Sequence, residues 1–326
     1  MQTGTTQNPK TTLPIEFSRC PICQEEDFTV LKKDNYKELQ GVESLAALYS
    51  SSSDHELFDQ VVQCRRCDLV YLNPRVESRI ALAGYSSAQD ETFVAQNAER
   101  IRTFKNSLKS ILQVTDLKAS PQTHVLDVGC AGGAFPKAAV DLGLSATGIE
   151  PSGWLCQFAR KNYGVNVLSG TLTEHCSGTQ STLASKSFHL VTLWDVIEHV
   201  PDPALVLRQC RQLLRNEGYL VVNYPDYGSV VTRLLGWSWP FFLSVHLYYF
   251  TRATMTRLLR QNGFDPVLIR PHWQTLKLSY VIQRASALVP PLKFLSRVLD
   301  KLGLGDLPCR YYIGQTLVIA KPNGQN

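Results

Sequence analysis

The sequence predicts an α/β fold, a mostly parallel sheet wrapped by helices, preceded by a small cysteine-bound module. Three observations predict it. Short apolar runs alternate with helix-like segments from residue 121 onward. Two C-x2-C pairs, Cys20/Cys23 and Cys64/Cys67, stand near the start. A glycine-rich turn, Asp127 to Gly133, follows the first buried strand. Strand–helix alternation of this kind closes into a parallel sheet covered on both faces.

The 326 residues suit about two domains. Charged residues at 19% and aromatic residues at 10% exclude a disordered, highly charged chain. The net charge of +5 is mild; it is compatible with an anionic partner and does not demand nucleic acid. Met1 to Thr12 is polar and lacks the apolar core of a secretory leader. The longest apolar candidate, Trp239 to Phe250, contains His246 and is shorter than the ~18 residues a membrane span needs. The odd cysteine count of nine argues against a disulfide framework, so a soluble, reduced, cytoplasmic protein is expected.

The elements follow in order. Residues 1–14 read as an unstructured tail, and 15–75 as the metal-binding module. Two C-x2-C knuckles bring four thiolates into the tetrahedral sulfur cage that zinc prefers, with a closed, structural site as the outcome. The separation between the knuckles predicts an insertion over Tyr36 to Gln60, with Ser50–Ser53 as an exposed turn. Leu69–Leu72 reads as a strand, stopped by Asn73–Pro74. Residues 76–120 form a helical connector, where Phe93, Ile101, Phe104, Leu108 and Ile111 make one packing face.

The catalytic-sized unit is 121–326. Its strands are expected at Val125–Val128, Ala146–Ile149, Val165–Leu168, Phe188–Leu193, Tyr219–Val222, Val267–Ile269 and Thr316–Ile319. Helices are expected at Ala134–Leu142, at Trp154–Asn162, from Pro203 with Asp202 as cap, and at Thr251–Gln261. Residues 272–308 read as a helical insertion broken by Pro290–Pro291. Its basic-apolar stretch 275–303 allows either packing over the sheet or peripheral membrane contact. Cys130 lies in the glycine turn; Cys156, Cys176, Cys210 and Cys309 read as small buried hydrophobes.

Asp127-Val-Gly129-Cys-Ala131-Gly-Gly133 lets the backbone pass close to a ligand, and Glu150 ends the second strand where a carboxylate can accept from two ribose hydroxyls. These residues resemble the first motif and following acidic position of class I, Rossmann-like, S-adenosylmethionine-dependent methyltransferases. Trp194 to Asp202 and His246 to Phe250 are similar to that superfamily's post-strand-four and post-strand-five segments. The knuckles with Asn73–Pro74 resemble a subgroup carrying a four-cysteine zinc-binding module. The resemblance implies a seven-stranded sheet with the last strand antiparallel, and S-adenosyl-L-methionine as cofactor. It places Asp127, Gly129, Ala131 and Gly133 on the methionine part and Glu150 on the ribose. Pro151 and Thr171 fall near the adenine, and Asp195 near the methyl group.

Methyl transfer needs proximity and, for some acceptors, a base. His199 and His246 are the candidates, each with a core or capping role as the alternative. Asp195, Glu198 and His199 also resemble the E-x-x-E-H of quinone O-methyltransferases, which implies a divalent metal. The expected activity is O- or C-methylation of a small-molecule acceptor: a nucleotide sugar, polysaccharide precursor or secondary metabolite. The alternatives are a metal-assisted quinone-type O-methyltransferase and a nucleic-acid-binding enzyme, the latter favoured only by Cys64-Arg65-Arg66-Cys67.

Overall fold

The computed structural model describes residues 13–38, 57–87, 89, 91–177, 183–286 and 292–324. The Ser50–Ser53 turn, most of the expected insertion between the knuckles and Pro290–Pro291 lie outside them. The first strands are β1 (Ile15–Glu16), β2 (Phe28–Lys32), β3 (Val61–Cys64), β4 (Val70–Leu72) and β5 (Arg75–Val76). The connector comprises α1 (Ser78–Ser87), α2 (Glu91–Val94) and α3 (Asn97–Thr115). Next come β6 (His124–Val128), α4 (Ala134–Asp141), β7 (Ser145–Glu150), α5 (Gly153–Tyr163), β8 (Asn166–Ser169) and α6 (Leu172–Cys176). They are followed by β9 (Phe188–Trp194), α7 (Pro203–Leu213), β10 (Leu214–Pro225), α8 (Val230–Leu235), β11 (Tyr248–Tyr249), α9 (Arg252–Gln261) and β12 (Phe264–Pro271). The last described elements are β13 (Gln274–Lys277), α10 (Leu278–Ala285), α11 (Leu292–Lys301), β14 (Pro308–Tyr311) and β15 (Gln315–Pro322).

The central sheet has the order β12-β15-β10-β9-β6-β7-β8, with β15 antiparallel to both neighbours and the other described pairings parallel. Both faces are covered, and strand alternation divides the residues between them. Leu126, Val191, Leu193, Leu220 and Val222 point into one cluster. Val125, Leu190, Trp194 and Val221 point into the other, where Leu108 and Ile111 of α3 join them. Phe104, Leu108 and Ile111 of the expected connector face thus pack on the sheet, whereas Phe93 lies in the separate helix α2, under Arg100, and Ile101 is outside this cluster.

The helix boundaries follow local chemistry. Asp202 accepts from the Leu205 amide at 2.9 Å, with Pro203 in the first turn. Thr251 and Thr254 close a capping box on α9, and Gly263 turns the chain at φ 84° behind it.

Four local readings change. Leu13 packs against the Val76/Ile80 cluster, and the Pro14 carbonyl accepts from the Glu77 amide, so residues 13 and 14 are part of the fold. Val76 belongs to a strand, not to the helical connector: β5 pairs with β1, where Arg75 reaches the Glu16 carboxylate at 2.7 Å. The 272–308 insertion is not only helical, since β13 and β14 pair into an antiparallel ribbon at its base. Cys176 and Cys309 are half-buried, whereas Cys156 and Cys210 are core residues.

The cysteine module shares its packing with the rest of the chain. Its sheet runs β11-β4-β3-β2, so Tyr248–Tyr249 supplies one edge strand. Cys20, Val61, Leu69 and Tyr71 belong to the same buried cluster as Phe250, Met255 and Leu258.

Candidate active site and cysteine cluster

The turn after β6 is built from left-handed backbone at Gly129 (φ 70°), Ala131 (φ 45°) and Gly133 (φ 77°). A Cβ on Gly129 would stand 2.6 Å from Val196 Cγ2, and one on Gly133 would stand 2.7 Å from Ala159 Cβ. Glycine therefore lets the loop close on the post-β9 segment and on α5. Ala131 takes the same conformation with a side chain, at a cost of about 1–2 kcal/mol.

Glu150 at the tip of β7 is fully buried. Its two oxygens accept from the Ala131 amide at 2.9 Å and the Ser152 amide at 2.7 Å. The Tyr85 hydroxyl of α1 donates to it at 3.4 Å. Burial pushes the Glu150 carboxyl up to about 7, despite hydrogen bonds that favour the anion. Asp127, buried behind it, accepts from the Thr192 hydroxyl at 2.6 Å. Burial, reinforced by the Glu150 charge, pushes Asp127 up to about 8. These groups lie at the carboxyl ends of β6 and β7, beside the point where strand order reverses, which is where open α/β sheets bind ligands. Pro151 follows Glu150 half-buried. Thr171 is committed to a capping box: its hydroxyl accepts from the Glu174 amide and its amide donates to the Glu174 carboxylate.

Asp195 follows β9 with a left-handed φ of 53°. A non-glycine residue held there stores strain of the kind found at functional sites. Its Oδ1 accepts from Asn223 Nδ2 and Gln315 Nε2, both at 2.7 Å. Burial raises its carboxyl to about 6, against the pull of the Arg100 charge. Of the expected Asp195/Glu198/His199 ligand set, Glu198 and His199 come together, with His246 rather than Asp195 beside them. The residues whose donor atoms converge are Glu198, His199 and His246, within 4.8 Å of one another.

That trio has a definite chemistry. His199 Nδ1 meets the Val245 carbonyl at 2.8 Å, and His246 Nδ1 meets the Phe241 carbonyl at 2.7 Å. A carbonyl only accepts, so Nδ1 carries the proton in both rings and Nε2 keeps its lone pair. The rings stand edge-to-face, centroids 4.7 Å apart. Both carboxylate oxygens of Glu198 are buried with no hydrogen-bond partner. Burial and the Asp195 charge raise the Glu198 carboxyl well above its usual range. Burial, with the His199 charge, pushes the His246 imidazole down to about 3.

Sequence reasoning misses three neighbours in the connector. Tyr85 covers Glu150. Asn97 donates from Nδ2 to the Gly132 carbonyl at 3.1 Å. Arg100 lays its guanidinium 3.9 Å over the Phe93 ring and keeps a buried, unpartnered Nε. The available signal for Asn97 and Arg100 is the polar run Gln96-Asn97-Ala-Glu99-Arg100, which opens a helix whose later turns carry an apolar face.

In the cysteine module, Cys20 Sγ lies 3.4 Å from Cys67 Sγ, and Cys23 Sγ lies 3.4 Å from Cys64 Sγ. All four are free thiols within 4.8 Å of one another. A zinc tetrahedron with Zn–S bonds of about 2.3 Å has edges of about 3.8 Å, so the donor set fits that ion. The hydrogen bond between Cys20 and Cys67 pushes the Cys67 thiol down and the Cys20 thiol up, as two sulfurs sharing one proton require.

Sheet order, antiparallel last strand and glycine-turn site together define a class I methyltransferase fold. A family model described as "Methyltransferase domain" matches residues 89–269, and the chain belongs to that family. It is 35% identical over 100 residues to a ubiquinone biosynthesis O-methyltransferase of Actinobacillus pleuropneumoniae, covering 29% of this chain and 43% of the relative. It is 34% identical over 108 residues to the enzyme of that name from Xanthomonas campestris, covering 32% and 44%. The matches thus span under half the length of these curated relatives. Among solved structures, a SAM-dependent methyltransferase of Thermotoga maritima superposes with a TM-score of 0.46 at 21% identity, covering 72% of this chain and 94% of the other. Magnesium protoporphyrin IX methyltransferase of Synechocystis, solved with bound SAH, superposes with a TM-score of 0.44 at 14% identity, covering 69% and 86%. No helix among the described residues is long and apolar enough to cross a membrane.

Proposed function

We propose that this chain is an S-adenosylmethionine-dependent methyltransferase acting on a small-molecule acceptor, with transfer to oxygen favoured by the names of its relatives. The observation that carries the reading is Glu150: a buried carboxylate at the tip of β7 that accepts from the glycine-turn amide of Ala131 and from the Ser152 amide, where ribose hydroxyls would exchange places with them. Bound cofactor would bring the electrophilic methyl and its own leaving group. The chain supplies the rest. Asp127, Gly129, Ala131 and Gly133 would line the methionine part, with Asn97 bracing the turn. Asp195, fixed by Asn223 and Gln315, would orient the reacting end. Pro151 and the backbone at Thr171 would flank the adenine.

His199 and His246 stand together, so acceptor deprotonation and metal binding are both open to them. The orphaned Glu198 oxygens favour a divalent cation held by Glu198, His199 and His246. A buried imidazole pushed down to about 3 stays neutral, as a ligand must, and is a weak base. The Cys20/Cys23/Cys64/Cys67 cluster would hold structural zinc. Nine free cysteines support a reducing, cytoplasmic setting. Exposed Phe294, Leu302 and Leu307 support peripheral lipid contact by the insertion.

Calorimetry tests the core of this reading. S-adenosylmethionine and S-adenosylhomocysteine should bind at one site, and Glu150→Ala should abolish most of the affinity. Absence of binding, or a Glu150→Ala variant that binds like wild type, defeats it.

A further inference from the structure

A cavity of about 490 Å³ lies between α3 and the edge of the central sheet. That volume falls within the range of small-molecule sites. Asn106, Ser107 and Ser110 line one side, and Arg270, Trp273 and Arg310 the other. Among the described residues no carboxylate lines it. Among them, too, neither guanidinium has an acidic partner within salt-bridge distance.

The two arginines are held in place by other means. Arg270, half-buried at the end of β12, donates to the Ser110 hydroxyl at 2.8 Å. Arg310 lies over the Trp273 ring at 5.2 Å. A guanidinium positioned without a counter-ion retains its fork of donors for an anion. Serine hydroxyls and the Asn106 amide add neutral hydrogen-bonding groups on the facing helix.

The cavity is at the reacting end of the molecule. β12 and β10 are both antiparallel to β15, so Arg270 lies at the same end of the sheet as Asp195. His272, in the cavity wall, packs on Trp194 at 5.3 Å and donates its amide to the Gln315 carbonyl. The Gln315 side chain in turn holds Asp195.

We propose that this cavity anchors a phosphoryl group of the methyl acceptor, with Arg270 and Arg310 supplying the charge. The substrate class is then a phosphorylated small molecule, such as a nucleotide-linked one. The proposal rests on the methyl-transfer reading for its link to catalysis, while the anion site stands on its own residues.

The test is calorimetry on the full chain saturated with S-adenosylhomocysteine, using inorganic pyrophosphate and uridine diphosphate as probes. Both should bind, and affinity should fall as salt rises. Arg270→Gln and Arg310→Gln should each weaken pyrophosphate about tenfold or more, the loss expected for one charge-assisted contact. S-adenosylmethionine affinity should stay within about twofold, which also confirms folding. Arg310 is exposed, so its variant keeps the test informative if the Arg270 variant fails to fold. Uridine diphosphate binding tighter than pyrophosphate extends the site to a nucleotide. Equal affinities confine it to the phosphates. Failure of wild type to bind either probe, or equal binding by wild type and variants, overturns the proposal. Failure to bind S-adenosylmethionine with the anion site intact would defeat the methyl-transfer reading alone.

Discussion

The Cys20/Cys23/Cys64/Cys67 cluster and the Glu198/His199/His246 cluster are both sets of side chains that could hold a metal ion, and they are made in different ways. The first consists of two tight turns, each written in four consecutive residues and brought together by antiparallel strands β2–β4. It has four like donors and no vacancy in its tetrahedron, as a folding site requires. The second joins neighbours on one segment to a histidine from beyond β10, and its carboxylate oxygens lack partners. A set of three mixed donors leaves room for solvent or substrate, as chemistry requires. The difference teaches that spacing in sequence is enough to bring four thiols together, whereas the unsatisfied Glu198 carboxylate becomes visible only in the folded chain.

The largest expected effect comes from breaking the first cluster. Combined Cys20→Ser and Cys64→Ser replacement should remove bound zinc and cost several kcal/mol, since structural zinc contributes on the order of 10 kcal/mol. Because β11 completes the module's sheet and its cluster runs into Phe250 and Met255, the loss should reach the catalytic unit. Metal analysis with scanning calorimetry checks this; an unchanged melting profile would show that the thiols are merely packed.

Glu150→Ala should follow, weakening cofactor binding about a hundredfold or more through the loss of charge-assisted contacts. Its effect should be seen by titration calorimetry with no change in zinc content, which separates the two regions.

Disturbing the second cluster should act more gently on folding. Glu198→Gln should leave S-adenosylmethionine affinity near wild type and weaken manganese or magnesium binding about 10- to 100-fold, the scale of losses at metal sites. If wild type and variant respond equally to the ion, the trio is not its site.

The smallest effect is in pH. The folded carboxyl of Glu150 sits at about 7, above its usual value of 4.5, so the native state holds an extra proton in that window. Stability of the cofactor-free protein should therefore fall as pH rises from about 4.5 through about 7. Cofactor binding, which favours the anion, should tighten across the upper half of that window and release up to one proton. Calorimetry in buffers of different ionisation heat measures that proton; a pH-independent affinity would show that Glu150 is not the ribose acceptor.

Much of this was legible in the chain itself. Short apolar runs between helical segments located the seven strands of the main sheet, because burial on both faces demands continuous apolar runs. The glycine turn and Glu150 were legible because left-handed backbone and a carboxylate at a strand end are local requirements. The knuckles were legible because two thiols on one turn need only their spacing. The β13–β14 ribbon was not, since short half-exposed strands carry little periodic signal. The role of Asn97 and Arg100 was hidden because a polar helix start reads as a solvated face, although Asn97 is buried in the fold, and Tyr85 reaches Glu150 across 65 residues.

Residue types and spacing by themselves determined the fold class, the thiol cluster and the buried acid at the tip of β7, all set by contacts within a few residues or by burial periodicity. Only the tertiary structure decided that Asp195 is tethered to Asn223 and Gln315, and that His246 joins Glu198 and His199. It alone placed Arg270 and Arg310 in a cavity whose described lining holds no carboxylate. Those pairings span tens of residues, and which polar group is satisfied or orphaned depends on every neighbour that the fold brings near.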